Sequence, residues 1–233
     1  MQKTEWNADL RGEKIIGEFL DKNLYARIRA TTGVIFDRVT DLQQQLQGID
    51  VAIQKNGIYI DEKVQLDYIN KNLPTNCFEI SFIGPDGSEK QGWFVNKNLM
   101  TTHYLIVWPF ADLQDANKQN LTYEKITKLQ CILISKAKLL YFLNVKGFSS
   151  ERMKAISDEM RHEKKTKVKY PNESFYFVHT LTKTEKPVNI VVKKDVLLAL
   201  ASHVYEVTKD KLITLTQEEV MRLIMQSRQI RKY

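Results

Sequence analysis

The sequence is poor in cysteine and has no long apolar run. Its two cysteines, Cys77 and Cys131, are too few for a disulfide framework and lack the paired spacing of zinc sites, so we expect reduced thiols. No segment approaches the length of a membrane span, and no apolar leader follows Met1. These absences predict a soluble intracellular protein, most simply a cytoplasmic one.

Several catalytic motifs are also missing. The chain has no phosphate-binding Gly-x-x-x-x-Gly-Lys loop, no dinucleotide fingerprint and no nucleophile elbow. Its histidines are scattered without helical or hairpin pairing: His103, His162, His179 and His203. Hydride transfer, acyl transfer and zinc hydrolysis therefore lack candidate residues.

Basic residues are plentiful. Thirty-five lysines and arginines against 28 acids give a net charge of +7, and 43% of the residues are hydrophobic, which is ample for a packed core. An excess of positive charge favours a polyanionic partner, and nucleic acid is the commonest one. DNA is the expected partner ahead of RNA, and no membrane is expected.

The most informative segment is a predicted hairpin around Asn56-Gly57. Asn-Gly is typical of a two-residue type I′ turn, which would place Ala52 opposite Asp61 and Asp50 opposite Lys63. Because side chains alternate along a strand, Asp50, Asp61 and Lys63 then share one face. The other face is apolar, with Glu62 as its one charged member.

Two carboxylates beside an ammonium suit phosphodiester hydrolysis. Carboxylate oxygens hold Mg²⁺ or Mn²⁺ while leaving water ligands in place, so Asp50 and Asp61 are candidate metal ligands, joined by the backbone carbonyl of Glu62. Lys63 is placed to polarise the attacking water or to stabilise charge in the transition state.

This hairpin resembles that of the PD-(D/E)xK phosphodiesterase superfamily, which includes many restriction endonucleases and Holliday-junction resolvases. The acidic-x-Lys triplet is Asp61-Glu62-Lys63, and the preceding Asp lies in Gly48-Ile49-Asp50-Val51. The resemblance covers roughly residues 8–110. It implies a metal-dependent nuclease with a mixed sheet flanked by helices and with Asp50, Asp61 and Lys63 in the catalytic site.

The family also places a glutamate on a helix before the hairpin. Residues 8–27 have a helical pattern, and the segment from Gly12 resembles the opening helix of the resolvase-like branch. Glu13 shares a helical stripe with three apolar residues, whereas Glu18 does not, so Glu13 is the fourth candidate catalytic residue. The stripe consists of Ile16, Leu20 and Leu24.

A second acidic-x-Lys triplet, Glu163-Lys164-Lys165, lies in a basic helical run without a preceding hairpin, so we reject it as a site. Glu79, in the middle of a predicted strand, is a possible additional acidic ligand. Candidate nucleic-acid contacts are basic or polar side chains before the hairpin and along the later basic run. They are Arg38, Gln47, Arg161, Lys164 and Lys165.

The whole pattern predicts an α+β fold with a restriction-endonuclease-like mixed sheet and an additional C-terminal α+β portion. The predicted division is a nuclease-like core at residues 1–115 and a basic extension at residues 116–233, which can pack as one domain with the core. In the extension we predict helices at residues 122–130, 150–167, 194–207 and 216–231, a strand at residues 139–145, and paired strands at residues 175–178 and 188–192.

Three functional hypotheses remain open at this stage. The first is a Mg²⁺-dependent DNA endonuclease, and the second is an RNA-cleaving enzyme of the same fold. The third is a non-catalytic nucleic-acid-binding or assembly protein whose nuclease fold has lost its metal. Double-strand cleavage by an enzyme with one site per chain would favour a homodimer.

Overall fold

A computed structural model describes the backbone of residues 2–115 and 117–229. The α-helices are α1 (Gln2–Leu20), α2 (Ala26–Thr32), α3 (Leu42–Leu46), α4 (Lys136–Val145), α5 (Ser150–His162), α6 (Lys194–Leu200) and α7 (Gln217–Gln229). The strands are β1 (Asp37–Arg38), β2 (Val51–Ile53), β3 (Ile58–Val64), β4 (Thr75–Ile83), β5 (Glu89–Gln91), β6 (His103–Ala111), β7 (Ile126–Ser135), β8 (Lys167–Lys169), β9 (Phe175–His179), β10 (Val188–Lys193), β11 (His203–Val207) and β12 (Leu212–Thr214). The fold is therefore α+β.

The larger sheet is mixed. Its seven strands lie in the order β1-β2-β3-β6-β7-β11-β12, with β3 and β6 parallel and the other neighbours antiparallel. The smaller sheet has the order β5-β4-β10-β9-β8 and is antiparallel. Both sheets contain strands from before and after residue 116, so hydrogen bonds of the sheets link the two predicted portions.

The larger sheet separates two apolar cores. One core contains the buried stripe of α1, with Ile16, Phe19 and Leu20 fully buried against residues such as Ile60 and Val107. The other contains residues from both sheets and from α4 to α7, with Tyr104, Trp108, Phe78 and Phe177 among its largest members. The outer face of β2 lies against neither of these cores: Ala52 packs in a small third cluster with Val39, Ile49 and Tyr59.

The N-terminal helical prediction is confirmed. A helix runs from α1 through a π-helical turn at Asp21–Tyr25 into α2, and the predicted stripe is buried. Gly33 ends it in the left-handed conformation, with φ of 72° and its N–H bonded to the carbonyl of Arg29. The stripe of apolar residues at helical spacing explains why α1 packs on the sheet.

Several elements of the second half differ from the prediction. Residues 122–130 were expected to be helical, but β7 begins at Ile126. Residues 139–145 were expected to be a strand, but they lie in α4. β7 pairs on both sides, with β6 and β11, so long-range pairing overrides local propensity there. Burial of Leu139 and Leu143 fits one helical face as well as it fits a strand.

The C-terminal predictions have a mixed outcome. Residues 175–178 and 188–192 do form paired strands, β9 and β10. The helix expected over residues 194–207 ends at Leu200, and residues 203–207 form β11 instead. Helix α5 ends at His162, short of residue 167. The final helix begins after Thr216, whose hydroxyl and Glu219 form the expected capping box; residues 230 and 231 lie outside the described part of the chain.

The predicted hairpin register is wrong by two residues. Gln54–Asn56 form a 3₁₀ turn and Gly57 has φ of 63°, so Ile53 pairs with Ile58, Ala52 with Tyr59, and Val51 with Ile60. The loop thus contains four residues instead of two. A shift of two residues leaves every side chain on its predicted face, because the side-chain period of a strand is two.

Of the helices described, none combines the length and the apolar character that crossing a membrane requires.

Candidate active site

Asp50 and Asp61 lie side by side at the open end of the hairpin. Val51 pairs with Ile60, and the backbone N–H of Asp50 donates to the carbonyl of the same Ile60 (2.9 Å). The carboxyl of Asp50 is hydrogen-bonded with that of Asp61, whereas the sequence predicted Lys63 opposite Asp50. One carboxylate oxygen of Asp50 also accepts the backbone N–H of Glu62 (2.7 Å), which fixes its side chain against β3.

Lys63 forms an ion pair with Asp61. The distance from Nζ to Oδ1 is 2.8 Å, and the side chain of Asp61 is only 7% exposed. We call the side chains of Asp50, Asp61 and Lys63 the site face. All three sequence-predicted hairpin residues are therefore together, on the side of the sheet away from α1.

Negative charge dominates the site face. Burial, followed by the charge of Asp50 and a hydrogen bond with it, raises the pKa of Asp61 to about 6, although Lys63 opposes the shift. Burial disfavours the ammonium of Lys63, but Asp61, Asp50 and Glu13 outweigh it and raise its pKa. Lys63 is consequently a charged donor at neutral pH, and its single positive charge is outnumbered by the two carboxylates of the site face.

Glu13, on α1, interacts with this group through its charge alone. Its side chain is exposed to solvent, yet its pKa is raised by partial desolvation, with Lys63 lowering it and Asp50 raising it. Glu18, the candidate that the helical stripe disfavoured, forms a surface ion pair with Lys22. The structure thus places Glu13, and not Glu18, within electrostatic reach of the hairpin.

An aromatic wall lies beside Lys63. The Lys63 ammonium is 4.5 Å from the centroid of the Trp93 ring, and that ring makes an edge contact with Tyr104 at 5.2 Å. The loop that carries Trp93 approaches β4 closely, because a Cβ at Gly92 would lie 2.5 Å from the carbonyl oxygen of Glu79. Only glycine fits there without displacement of the backbone.

Sequence reasoning missed two polar residues of the site. Tyr104 is the β6 partner of Asp61; its hydroxyl is buried and has no hydrogen-bond partner among the described residues. Burial and the charge of Asp61 raise the Tyr104 pKa. Lys136, the first residue of α4, is also buried and within electrostatic reach of Asp61, and burial lowers its pKa. The parallel pairing of β3 with β6, which brings Tyr104 there, has no local sequence signal.

Glu79 lies near the site from the second sheet. Burial raises its pKa, while a hydrogen bond from the Trp93 backbone and the charge of Lys63 oppose the shift. It was expected on a strand beside Lys63, but β4 belongs to the smaller sheet. Glu79 therefore contributes charge to Lys63 across the gap between the sheets.

Glu62 points to the opposite side of β3, which we call the arginine face. Its carboxylate accepts two hydrogen bonds from Arg38 (2.7 and 3.0 Å) and one from the Tyr25 hydroxyl (2.6 Å). Arg38 also pairs with Asp21 at 2.7 Å. The Arg38 guanidinium, predicted to contact phosphate, is thus occupied within the protein, and only the backbone of Glu62 faces the site.

The other predicted nucleic-acid contacts lie apart from the hairpin. Gln47 is exposed after α3, and its carbonyl accepts the N–H of Met100. Arg161 is occupied by Ser81 and by an ion pair with Glu89. Lys164 and Lys165 are exposed at the end of α5, where Lys165 pairs with two glutamates, Glu159 and Glu163. The rejected second triplet is therefore a helix terminus with surface ion pairs.

The residues of the site face have the right chemistry for a hard divalent cation, although they do not form a complete cage. No three His, Cys, Asp or Glu side chains of the described chain are arranged as a metal-binding group. Mg²⁺ requires fewer protein ligands, because one or two carboxylates with water and substrate phosphate are its usual set. Burial, and to a smaller extent Asp50, raises the pKa of Asp61 although Lys63 pairs with it.

Comparison of the chain with protein-family models, with curated proteins and with solved structures gave no match.

Proposed function

We propose that this protein is a metal-dependent nuclease of the PD-(D/E)xK type, with a restriction-endonuclease-like core, which hydrolyses phosphodiester bonds in DNA. One observation carries the proposal: Asp50, Asp61 and Lys63 meet on one face of β3, with the two carboxylates adjacent and the lysine charged. A structural ion pair needs only one acid for one lysine, so the second carboxylate calls for another cation.

Mg²⁺ or Mn²⁺ held by Asp50, Asp61 and the backbone carbonyl of Glu62 would supply Lewis-acid stabilisation and an activated water. Lys63 is held by Asp61 and by the Trp93 ring, so its fixed positive charge would stabilise a phosphate bound beside the metal. We include Glu13 of α1 as the fourth acidic residue, because it lies within electrostatic reach of Lys63 and Asp50. We infer a donor role for Lys63, since its raised pKa disfavours the neutral amine that a general base requires.

The partner class follows from charge. The net charge of +7 favours a polyanion, and DNA is our first choice. Lys164, exposed after α5, is our candidate for a phosphate contact, which positions nucleic acid without reading its sequence; Lys165 beside it is ion-paired with Glu159 and Glu163. Cleavage of both strands would require two sites, so a homodimer belongs to the proposal, as does a cytoplasmic location suited to two free thiols.

The test is a cleavage assay on supercoiled plasmid with Mg²⁺, Mn²⁺ or chelator. We expect nicked or linear product only with metal, and loss of product in Asp50→Ala and in Lys63→Ala. Asp86→Asn is the matched control, because Asp86 also pairs with a lysine, but at an exposed turn. Activity that survives in both site variants would contradict the assignment of the site.

The same assay separates the alternatives. Structured and single-stranded RNA, digested in parallel, would show whether the enzyme prefers RNA. The third hypothesis is a non-catalytic protein. That hypothesis predicts no heat of Mg²⁺ or Mn²⁺ binding in calorimetry, no cleavage of either polymer, and DNA binding that Asp50→Ala leaves unchanged.

A further inference from the structure

A cavity lies on the α1 side of the larger sheet, between the sheet and the segment of residues 24–36 that contains α2. Its volume is about 440 Å³, within the range of pockets that hold small organic ligands. Apolar side chains of the sheet form its floor, and apolar side chains of residues 24–36 form its wall. They include Ile58, Leu105 and Leu133 on the floor and Ile28, Val34 and Phe36 on the wall. None of the residues of the site face lines this cavity.

The lining of the cavity offers neutral polar groups and no permanent charge. Among the described residues that line it there is no aspartate, glutamate, lysine or arginine. Several of its hydroxyl groups are already occupied: those of Thr31 and Thr32 donate to backbone carbonyls of the same helical segment, and that of Tyr25 donates to Glu62. A ligand in this cavity would therefore find apolar surface and few free hydrogen-bonding groups.

His103 is the half-buried polar group of this lining. Its Nδ1 lies 3.0 Å from the hydroxyl oxygen of Thr102, and its Nε2 has no hydrogen-bond partner among the described residues. Burial, followed by the charge of Lys138, lowers the pKa of His103, so the ring is neutral at neutral pH. The other histidine of the cavity, His203, is exposed and stacks on Tyr205, so its hydrogen bonds compete with water. The Nε2 atom of His103 is thus the group that a ligand can satisfy.

We propose that this cavity binds a small, uncharged apolar molecule with one hydroxyl group, such as a phenol, whose hydrocarbon body contacts the apolar walls and whose hydroxyl bonds to Nε2 of His103. A hydroxyl both donates and accepts, so it fits either tautomer of the imidazole. A charged ligand is disfavoured, because it would lose hydration without gaining a counterion. The site is independent of the proposed nuclease activity, since it lies on the other side of the sheet from the site face.

The test compares three ligands with the same ring system: 2-naphthol, naphthalene and 2-naphthoate. Binding is measured by equilibrium dialysis at neutral pH, with the fluorescence of each ligand as the readout. We expect 2-naphthol to bind wild type about fivefold more tightly than naphthalene, as one neutral hydrogen bond contributes, and 2-naphthoate to bind more weakly than both. Absence of 2-naphthol binding, or 2-naphthoate binding as tight as 2-naphthol, would overturn the proposal.

A matched pair of variants locates the ligand. Val34→Trp places a large ring in the cavity and should weaken 2-naphthol and naphthalene by about tenfold or more, because it removes the space for their rings. Ile35→Trp adds the same ring at the next residue, which is 53% exposed and does not line the cavity, and it should change neither affinity. Unchanged affinities in a folded Val34→Trp protein would place the ligand elsewhere and overturn the proposal.

A second pair tests the hydrogen bond. His103→Leu should remove the preference for 2-naphthol over naphthalene, whereas His203→Leu, at the exposed histidine of the same cavity, should retain it. A preference that survives in His103→Leu would contradict the assigned role of His103. If His103→Leu does not fold, the three ligands and the tryptophan pair still decide whether an uncharged hydroxyl compound occupies this cavity.

Discussion

The two faces of β3 contain the same kinds of residue but differ in how far their polar groups are satisfied by hydrogen bonds. On the arginine face, Glu62 is buried but satisfied by Arg38 and Tyr25, and Asp21 completes the network. On the site face, two adjacent carboxylates share one lysine, and Tyr104 has a buried hydroxyl without a partner among the described residues. Within the triplet Asp61-Glu62-Lys63, Glu62 therefore stabilises the fold on one side of β3, while polar groups on the other side stay unsatisfied. Unsatisfied polar groups of this kind are typical of functional sites.

The largest expected effect is on catalysis. Lys63→Met should reduce the metal-dependent cleavage rate by about 10²- to 10⁴-fold, the range for loss of one essential polar group in an active site. The purified variant should keep a cooperative unfolding transition in urea. A Lys63→Met protein that cleaves plasmid at the wild-type rate would place the catalytic group elsewhere.

The arginine face should show the largest effect on stability. Arg38→Met should lower the free energy of unfolding by about 3 kcal/mol, because it leaves the buried Glu62 carboxylate without a cation, and Glu62→Gln should cost less, because Arg38 keeps its ion pair with Asp21. The double variant should cost less than the sum of the two, which a double-mutant cycle by urea unfolding measures. Lys22→Met, which breaks the exposed pair with Glu18, is the control and should cost less than about 0.5 kcal/mol.

The contribution of the site face to the free energy of unfolding should change with pH in the direction opposite to that of a stabilising ion pair. Burial raises the pKa of Asp61 in the folded protein to about 6, above its ordinary value of 3.8, so ionisation of Asp61 destabilises the folded protein. Without metal, this penalty is absent below about pH 4, grows as the pH rises to 6, and then stays constant. The unfolding free energy of wild type relative to Asp61→Asn should therefore fall by about 2 kcal/mol over that interval. A rise over the same interval would show that Lys63 overcompensates Asp61.

The smallest expected effect on stability is that of Tyr104→Phe, which tests whether the Tyr104 hydroxyl belongs to the site or to the core. Tyr104→Phe removes a buried hydroxyl without a described partner, so the free energy of unfolding should stay constant or rise by about 1 kcal/mol. If the hydroxyl acts in the site, cleavage should fall about tenfold in the same variant. Tyr205→Phe is the matched control, since Tyr205 is another buried tyrosine of this sheet, on the α1 side. Loss of stability without loss of activity would assign Tyr104 to the core.

Prediction from sequence succeeded where the signal is local and periodic. The stripe of α1 is buried because its apolar residues recur at helical spacing, and Asp50, Asp61 and Lys63 share a face because alternation survives a shift of two residues. It failed where pairing is long-range. β7 was predicted as a helix over residues 122–130, although its β-structure depends on pairing with both β6 and β11.

The candidate site divides in the same way. Its hairpin acids and lysine follow from residues close in sequence, and Glu13 follows from one helical stripe. Three further side chains reach the candidate site only through tertiary structure, above all through the parallel pairing of β3 with β6 and the close approach of Gly92 to β4. They are Tyr104, Lys136 and Trp93. Likewise, Arg38 was predicted to contact phosphate, and only the structure shows that its guanidinium is paired with Glu62 and Asp21.

The sequence by itself determined which side chains of the hairpin lie together, because the two-residue period of a strand and the helical stripe of α1 are properties of the local chain. Only the tertiary structure decided which charges are compensated. Compensation depends on contacts between residues distant in sequence, such as Arg38 with Glu62 and with Asp21, which form when the sheet and its helices pack.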